Sequence, residues 1–199
     1  MRFTATDGTV LDGELAVPAG ARAGMVVCHP HPHYGGSMHT PVVEALFEGL
    51  PAHGVAVLRF DFRGVGASGG THDGGDAERL DAAAAVSRLA AEVDGPIVLA
   101  GWSFGADVAL STGPARIAGW FAVAPPLRFA VSPQSADPRP ALLVAGGRDP
   151  VAPPDHVRAA TAGWAATSVV ELPTADHLFL AERAQLVELA QTAIRSGCE

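Results

Sequence analysis

Six short runs of almost wholly apolar residues recur along the chain, separated by segments with helical patterns. The runs lie at 24–29, 54–60, 96–102, 119–124, 141–147 and 168–172. Parallel strands that are covered by helices on both faces read as continuous apolar runs, so this pattern predicts a mostly parallel α/β sheet. Two further runs, 2–6 and 11–17, are joined through Asp7-Gly8 and predict a hairpin at the edge of the sheet. The sequence therefore predicts about eight strands in one central sheet.

The segments between the strands predict helices on both faces of that sheet. Thr40-Pro41 suits the cap and first position of a helix that ends near Leu50. The last helix is predicted to carry Phe179 on its apolar stripe. The other predicted helices span 76–91, the residues directly after Ser103, a weaker stretch at 155–163, and 176–196.

Composition limits the classes of protein that the chain resembles. With 199 residues, 48% of them apolar, residues 1–199 are expected to form one domain. The net charge is −8 and all thirteen basic residues are scattered arginines, which argues against nucleic-acid and membrane partners. No N-terminal stretch resembles a signal peptide, and Cys28 and Cys198 do not suggest a disulfide framework, so a cytoplasmic location is expected.

The run PIVLAGWSFGADVAL contains a G-x-S-x-G motif centred on Ser103, with a strand before it and a helix after it. In this arrangement the serine lies on a sharp strand-to-helix turn, which exposes its hydroxyl above the sheet. A glycine-rich turn without function is the alternative, but the strand-to-helix context disfavours it. Ser103 is therefore predicted to be a nucleophile.

A serine nucleophile requires a base and a group that orients the base. In the chain order Ser, acid, His, Asp149 follows the strand at 141–147, and His177 follows the strand at 168–172. His156 also obeys this order, but it lies only seven positions after Asp149. His177 is the preferred base. The competing acids, which read more simply as solvated or helix-capping residues, are Asp61, Asp107 and Asp176.

These motifs together resemble the α/β-hydrolase superfamily, in particular small lidless serine hydrolases of the dienelactone-hydrolase-like and acyl-peptidase-like group. The resemblance rests on GWSFG, GGRDPVAP, ADHLF and DFRGVGAS and covers nearly the whole chain. It implies an α/β-hydrolase fold without a lid domain and the strand order 1-2-4-3-5-6-7-8. The chain departs from the group in two places: serine stands where dienelactone hydrolases have cysteine, and HPHPHYGG replaces the usual His-Gly-rich oxyanion loop.

The stretch HPHPHYGG at 29–36 permits two interpretations. The resemblance implies that its backbone forms an oxyanion hole with the N–H of Phe104; since Pro30 and Pro32 have no N–H, His31 is the expected donor, with His33 and Tyr34 as alternatives. The second interpretation is a metal-dependent hydrolase that uses His29, His31 and His33. The backbone interpretation is preferred, and no metal or other cofactor is expected.

Residues 64–69 match G-x-G-x-x-G and raise the possibility of a dinucleotide site. Residues 70–75 separate these glycines from the predicted helix, which argues against that site. The glycine loop is instead expected to turn beside the mouth of the active site.

The sequence thus predicts a serine hydrolase that cleaves a small to medium carboxylic ester or thioester through an acyl-enzyme. A non-catalytic binding module on the same fold is the alternative from another class. Only 46 positions separate Ser103 from Asp149 (149 − 103), too few for a lid domain, so an open, mostly apolar substrate site is expected. Its predicted wall consists of Tyr34, Met38, Trp102, Phe104, Leu127 and Phe129.

Overall fold

A computed structural model describes residues 1–128 and 136–197. Its eight strands form one sheet in the order β1-β2-β4-β3-β5-β6-β7-β8, which confirms the order that the resemblance implies. The strands are β1 (Arg2–Thr4), β2 (Val10–Ala16), β3 (Ala23–Cys28), β4 (Val55–Phe60), β5 (Ile97–Trp102), β6 (Ile117–Val123), β7 (Ala141–Gly146) and β8 (Thr167–Leu172).

Strand direction and burial agree with the apolar runs. Strand β2 pairs antiparallel with β1 and with β4, whereas all neighbouring pairs from β4 through β8 are parallel. Every residue of β3, β4, β5 and β7 is buried, because helices cover both faces of these central strands. The predicted mostly parallel sheet with an N-terminal hairpin is confirmed.

Five α-helices flank the sheet in the described part of the chain. α1 packs against α5 and α2 packs against α3, and these two pairs cover the central strands. The glycines at 64–69 lie well before α2 and do not open this helix, as they would in a dinucleotide site. The helices are α1 (Pro41–Gly49), α2 (Glu78–Leu89), α3 (Phe104–Leu110), α4 (Pro154–Ala160) and α5 (Arg183–Ser196).

The start of the last helix was predicted wrongly. α5 begins at Arg183 rather than near Asp176, and Phe179 lies in the preceding loop with a φ of 51°. Phe179 is nevertheless fully buried, because the loop itself inserts the ring into the core. The helical spacing of Phe179 therefore predicted its burial correctly but its backbone conformation incorrectly.

The parallel strands place four loops at one edge of the sheet. Cys28, Trp102, Gly146 and Leu172 end β3, β5, β7 and β8, and the predicted functional side chains follow these strands. The carboxyl ends of parallel strands are where α/β proteins build their sites. Among the described residues, no helix has the length and apolarity that crossing a bilayer requires.

Candidate active site

Ser103 lies at the sharp turn between β5 and α3. Its φ of 55° and ψ of −121° fall in a region that residues with a side chain rarely adopt, at a cost of about 1–3 kcal/mol. The turn is held because the Ser103 N–H donates to Val123 O at 2.9 Å, while the Ser103 carbonyl accepts the N–H of Ala106 at 2.9 Å. This is the backbone geometry that the G-x-S-x-G motif predicts.

Gly105 allows the helix after the serine to approach the sheet. A Cβ atom at Gly105 would lie 2.3 Å from His29 O and 2.4 Å from Cys28 O. Any side chain there would push α3 away from the end of β3. The glycine after the serine therefore fixes the distance between the Ser103 turn and the loop that follows β3.

Ser103, His177 and Asp149 form a continuous hydrogen-bonded chain. Nε2 of His177 lies 3.0 Å from Oγ of Ser103, and Nδ1 lies 2.7 Å from Oδ2 of Asp149. The Asp149 side chain is fully buried, whereas that of His177 is 21% exposed. The indole N–H of Trp102 also donates to His177 O at 3.0 Å, which ties the loop after β8 to the end of β5.

The carboxylate of Asp149 is held ionised by its neighbours. Burial alone would raise its pKa, but hydrogen bonds from His177 and from the N–H groups of Ala152 and Val151 together lower the pKa below its usual value. Oδ1 accepts the N–H of Val151 at 2.7 Å and that of Ala152 at 3.0 Å. Oδ2 is left to accept the Nδ1 proton of His177, so that Nε2 presents its lone pair to the Ser103 hydroxyl.

The other predicted candidates lie in different environments. Nε2 of His156 is 3.2 Å from Pro126 O, away from the chain described above. Asp176 is exposed and accepts the N–H of Leu178 at 2.9 Å in its own loop, as the prediction of a solvated loop acid allows. Asp61 and Asp107 are buried rather than solvated, and that part of the prediction was wrong.

The first histidine of HPHPHYGG is a core residue. His29 is fully buried, and its Nε2 accepts the N–H of Phe62 at 3.0 Å. Its Nδ1 therefore carries the proton and donates to Pro30 O at 2.6 Å. Burial lowers the pKa of His29 to about 4, which keeps the ring neutral. Because both nitrogens are engaged, the trio His29, His31 and His33 does not assemble, and the metal-site interpretation based on it is corrected.

The rest of the stretch is a tight turn closed by backbone hydrogen bonds. The N–H groups of Tyr34 and Gly36 donate to His31 O at 3.0 and 3.1 Å, and the N–H of His33 donates to Nδ1 of His31 at 3.2 Å. A Cβ at Gly36 would lie 2.0 Å from Pro30 O, so only glycine fits where the turn closes. Of the three residues considered as oxyanion donors, His33 and Tyr34 have their N–H groups engaged within the turn.

A cavity of about 630 Å³ opens beside Ser103. Tyr34, Trp102 and Phe104 line it, as does His31. Met38 does not line it: its side chain is buried, and its N–H donates to Asp61 at 2.8 Å. Leu127 packs against the core instead, and Phe129 lies outside the described residues.

The cavity wall also contains residues that sequence reasoning missed. Val151 and Leu178 each lie within two positions of Asp149 or His177 in the sequence. This proximity could have indicated that they line the cavity. Arg128 and Asp107 add polar groups to a wall that was predicted to be mostly apolar. No local pattern distinguishes these two, because a loop far along the chain brings Arg128 beside α3.

Comparison with known proteins agrees with this architecture. A family described as "Alpha/beta hydrolase domain" matches residues 23–196, and the chain therefore belongs to the α/β-hydrolase family. It is 34% identical over 143 residues to an uncharacterized protein of Rickettsia prowazekii (strain Madrid E), a match that covers 67% of this chain and 59% of the relative's length. The chain thus spans less than two thirds of that relative.

Solved structures of similar proteins cover nearly the whole chain. An α/β serine hydrolase homologue from Coxiella burnetii is 30% identical, with a TM-score of 0.81 over 98% of this chain and 95% of that one. XC6422 from Xanthomonas campestris, described as a serine hydrolase without a lid, is 29% identical with a TM-score of 0.86 over 98% and 92%. An esterase from Pyrococcus furiosus is 20% identical with a TM-score of 0.85 over 100% and 91%, a likeness of fold alone.

Proposed function

We propose that this hydrolase cleaves a small to medium carboxylic ester or thioester through an acyl-enzyme on Ser103. The observation that carries the proposal is the hydrogen-bonded chain from Ser103 through His177 to Asp149. In that chain an acceptor nitrogen faces the serine hydroxyl, and a carboxylate holds the opposite nitrogen. A serine that is weak at neutral pH needs both groups to become a nucleophile.

The reaction proceeds in two proton-balanced halves. His177 takes the proton of Ser103 as Oγ attacks the carbonyl carbon, and then gives this proton to the departing alcohol or thiol. In the second half His177 takes a proton from water, the hydroxide attacks the acyl-enzyme, and the proton returns to Ser103 as the acid is released. Asp149 stays ionised and stabilises the imidazolium that forms in each half.

We assign the stabilisation of the negative charge on the tetrahedral intermediate to two backbone N–H donors. Phe104 follows the nucleophile and supplies one of them, and His31, whose ring lies 5.0 Å from that of Phe104, supplies the other. Engagement of the His33 and Tyr34 N–H groups within the turn supports His31. Losing one donor of this type typically costs about 10²–10³ in rate.

The cavity wall favours an acyl or leaving group of modest size. Tyr34, Trp102, Val151 and Leu178 offer apolar contact around an opening of about 630 Å³. The exposed guanidinium of Arg128 stands at the same wall and favours a polar or anionic substituent at one end of the substrate.

A fluorophosphonate probe tests the nucleophile directly. We expect the wild-type protein to be labelled covalently on the peptide that contains Ser103 and to hydrolyse short p-nitrophenyl esters. Ser103→Ala should lose both properties while keeping its thermal unfolding transition. The absence of labelling in the folded wild-type protein would instead indicate a non-catalytic binding module on the same fold.

A further inference from the structure

Three imidazole rings from two separate loops meet beside the active-site cavity. They belong to His31 and His33 in the turn after β3 and to His72 in the segment between β4 and α2. One ring nitrogen of each lies within 4.8 Å of those of the other two. The ring centroids are 5.4 Å apart for His31 and His33, and 4.8 Å apart for each of these rings and His72.

The turn after β3 holds the rings of His31 and His33 close to each other. Pro32 stands between His31 and His33 and begins the short 3₁₀ turn Pro32–Tyr34. The fixed φ of proline limits how far the two flanking side chains can separate. The turn therefore presents His31 and His33 as a pair before any ligand is bound.

The third ring is oriented by a buried carboxylate. Nδ1 of His72 lies 2.7 Å from Oε1 of Glu78, whose side chain is fully buried. Both oxygens of Glu78 also accept backbone N–H groups, from Asp73 at 3.0 Å and from Gly75 at 2.8 Å. The carboxylate is thus the acceptor and His72 donates its Nδ1 proton, so that Nε2 keeps a lone pair. A carboxylate behind a histidine in this way is the usual support of a metal ligand.

From this geometry we infer that His31, His33 and His72 form a binding site for a transition-metal dication, with zinc as the best match. Zinc takes imidazole nitrogens at about 2.0–2.1 Å with tetrahedral geometry, which places ligand nitrogens about 3.3 Å apart. Nitrogens within 4.8 Å need to approach by no more than about 1.5 Å (4.8 − 3.3) to reach that spacing. Two of the side chains are partly buried and one is exposed. The fourth position would be taken by water. The site goes beyond the proposed function, since it contains none of Ser103, Asp149 and His177. It would use the ring of His31, whereas the proposed oxyanion hole uses the backbone N–H of this residue.

Metal binding would break one weak hydrogen bond within the turn. Nδ1 of His31 accepts the N–H of His33 at 3.2 Å, a bond that is exposed to solvent. Ligation through Nδ1 uses its lone pair, and ligation through Nε2 moves the proton to Nδ1, so the bond is lost in either case. A single neutral, solvent-exposed hydrogen bond is weak beside the ligand bonds of a zinc site, so its loss does not prevent binding.

The same rings also pack against aromatic neighbours. The His31 ring lies 5.1 Å from the ring of Tyr34 and 5.0 Å from that of Phe104, and His72 lies 5.3 Å from Phe104. Aromatic packing is therefore the alternative explanation for the cluster. Phenylalanine keeps the ring contacts and removes the nitrogen, so substitution by phenylalanine separates the two explanations.

Zinc titration of untagged, chelator-treated protein tests the site by calorimetry and by thermal unfolding. We expect wild type to bind one Zn²⁺ per chain with micromolar or tighter affinity and to unfold at a higher temperature with zinc. His33→Phe and His72→Phe should each weaken binding at least about tenfold. Because His72 also contacts Glu78, the fold of His72→Phe is checked first, and His33→Phe decides alone if that variant unfolds.

Two matched variants complete the design. His53→Phe changes an exposed histidine on another turn and should bind zinc like wild type. Ser103→Ala should also bind zinc like wild type, which keeps this test independent of the proposed hydrolysis. Equal zinc affinity in wild type and His33→Phe, or no saturable binding by wild type at micromolar zinc, would overturn the assignment.

Discussion

At the scale of single residues, the role of a histidine depends on which partners each ring nitrogen finds. His29, His156 and His177 each follow a strand in the sequence, but only His177 joins a serine to a carboxylate. Both ring nitrogens of His29 form hydrogen bonds inside the core, and His156 contacts a carbonyl oxygen. The difference is one of position in space, since all three follow strands on the same edge of the sheet.

Substitution of the proposed base and its orienting acid gives a prediction at this scale. His177→Ala and Asp149→Asn should each lower kcat on p-nitrophenyl esters by on the order of 10³-fold or more, since each breaks the proton path from Ser103. His156→Ala is the matched control and should leave kcat nearly unchanged. Steady-state kinetics of the three variants checks this, and loss of activity in His156→Ala with retention in His177→Ala would refute the assignment.

The strength of coupling within the chain can be measured as well. Members of one proton-transfer unit are strongly non-additive, so Ser103→Ala/His177→Ala should be little slower than either single variant. Rate losses that multiply in the double variant would mean that the two side chains act independently, which their 3.0 Å contact argues against.

At the scale of elements, Asp107 joins α3 to the loop that follows β6. Its oxygens accept the N–H groups of Leu127 and Arg128 at 2.8 and 2.9 Å. The side chain is buried, and this desolvation raises its pKa from 3.8 to about 6. One acid in α3 thus holds the loop that carries part of the cavity wall, although the sequence suggested only a solvated or capping residue.

This raised pKa predicts a pH dependence of stability. Between pH 3.8 and about 6 the folded protein holds a proton on Asp107 that the unfolded chain releases. The contribution of Asp107 to the free energy of unfolding therefore falls as pH rises through that window, by at most about 1.4 kcal/mol per pH unit. Denaturant unfolding of wild type and Asp107→Asn at pH 4 and pH 6.5 measures it. The difference in unfolding free energy, wild type minus variant, should decrease towards pH 6.5, and a constant difference would contradict the assignment.

The boundaries of elements show where local pattern stops being informative. α1 and α3 begin where Thr40-Pro41 and the serine motif predict, because a proline at the first helical position and a tight turn act locally. α5 begins about seven residues later than predicted (183 − 176), because the loop around His177 must turn back towards Ser103 before a helix can start. The contact that moves this boundary is 74 positions away in the chain.

At the scale of the whole molecule, the proposed hydrolysis and the proposed metal site share His31, which would serve the first through its backbone N–H and the second through its ring. Prolonged treatment with EDTA should leave ester hydrolysis unchanged, because no step of the mechanism uses a metal ion. The measurement is initial rate before and after chelation, with zinc content followed by elemental analysis. Activity that disappears on chelation and returns with zinc would require a metal-dependent mechanism in place of the serine mechanism.

The sequence by itself determined the features that depend on neighbours a few positions apart. These features are the buried strands, the helices between them, and the strand-to-helix turn at Ser103. They follow from apolar periodicity and glycine placement, which depend on residues close together in the sequence. The tertiary structure decided which distant groups meet. It removed His29 and Met38 from the predicted sites and brought His72 beside His31, since packing of the whole sheet sets these distances and no local pattern encodes them.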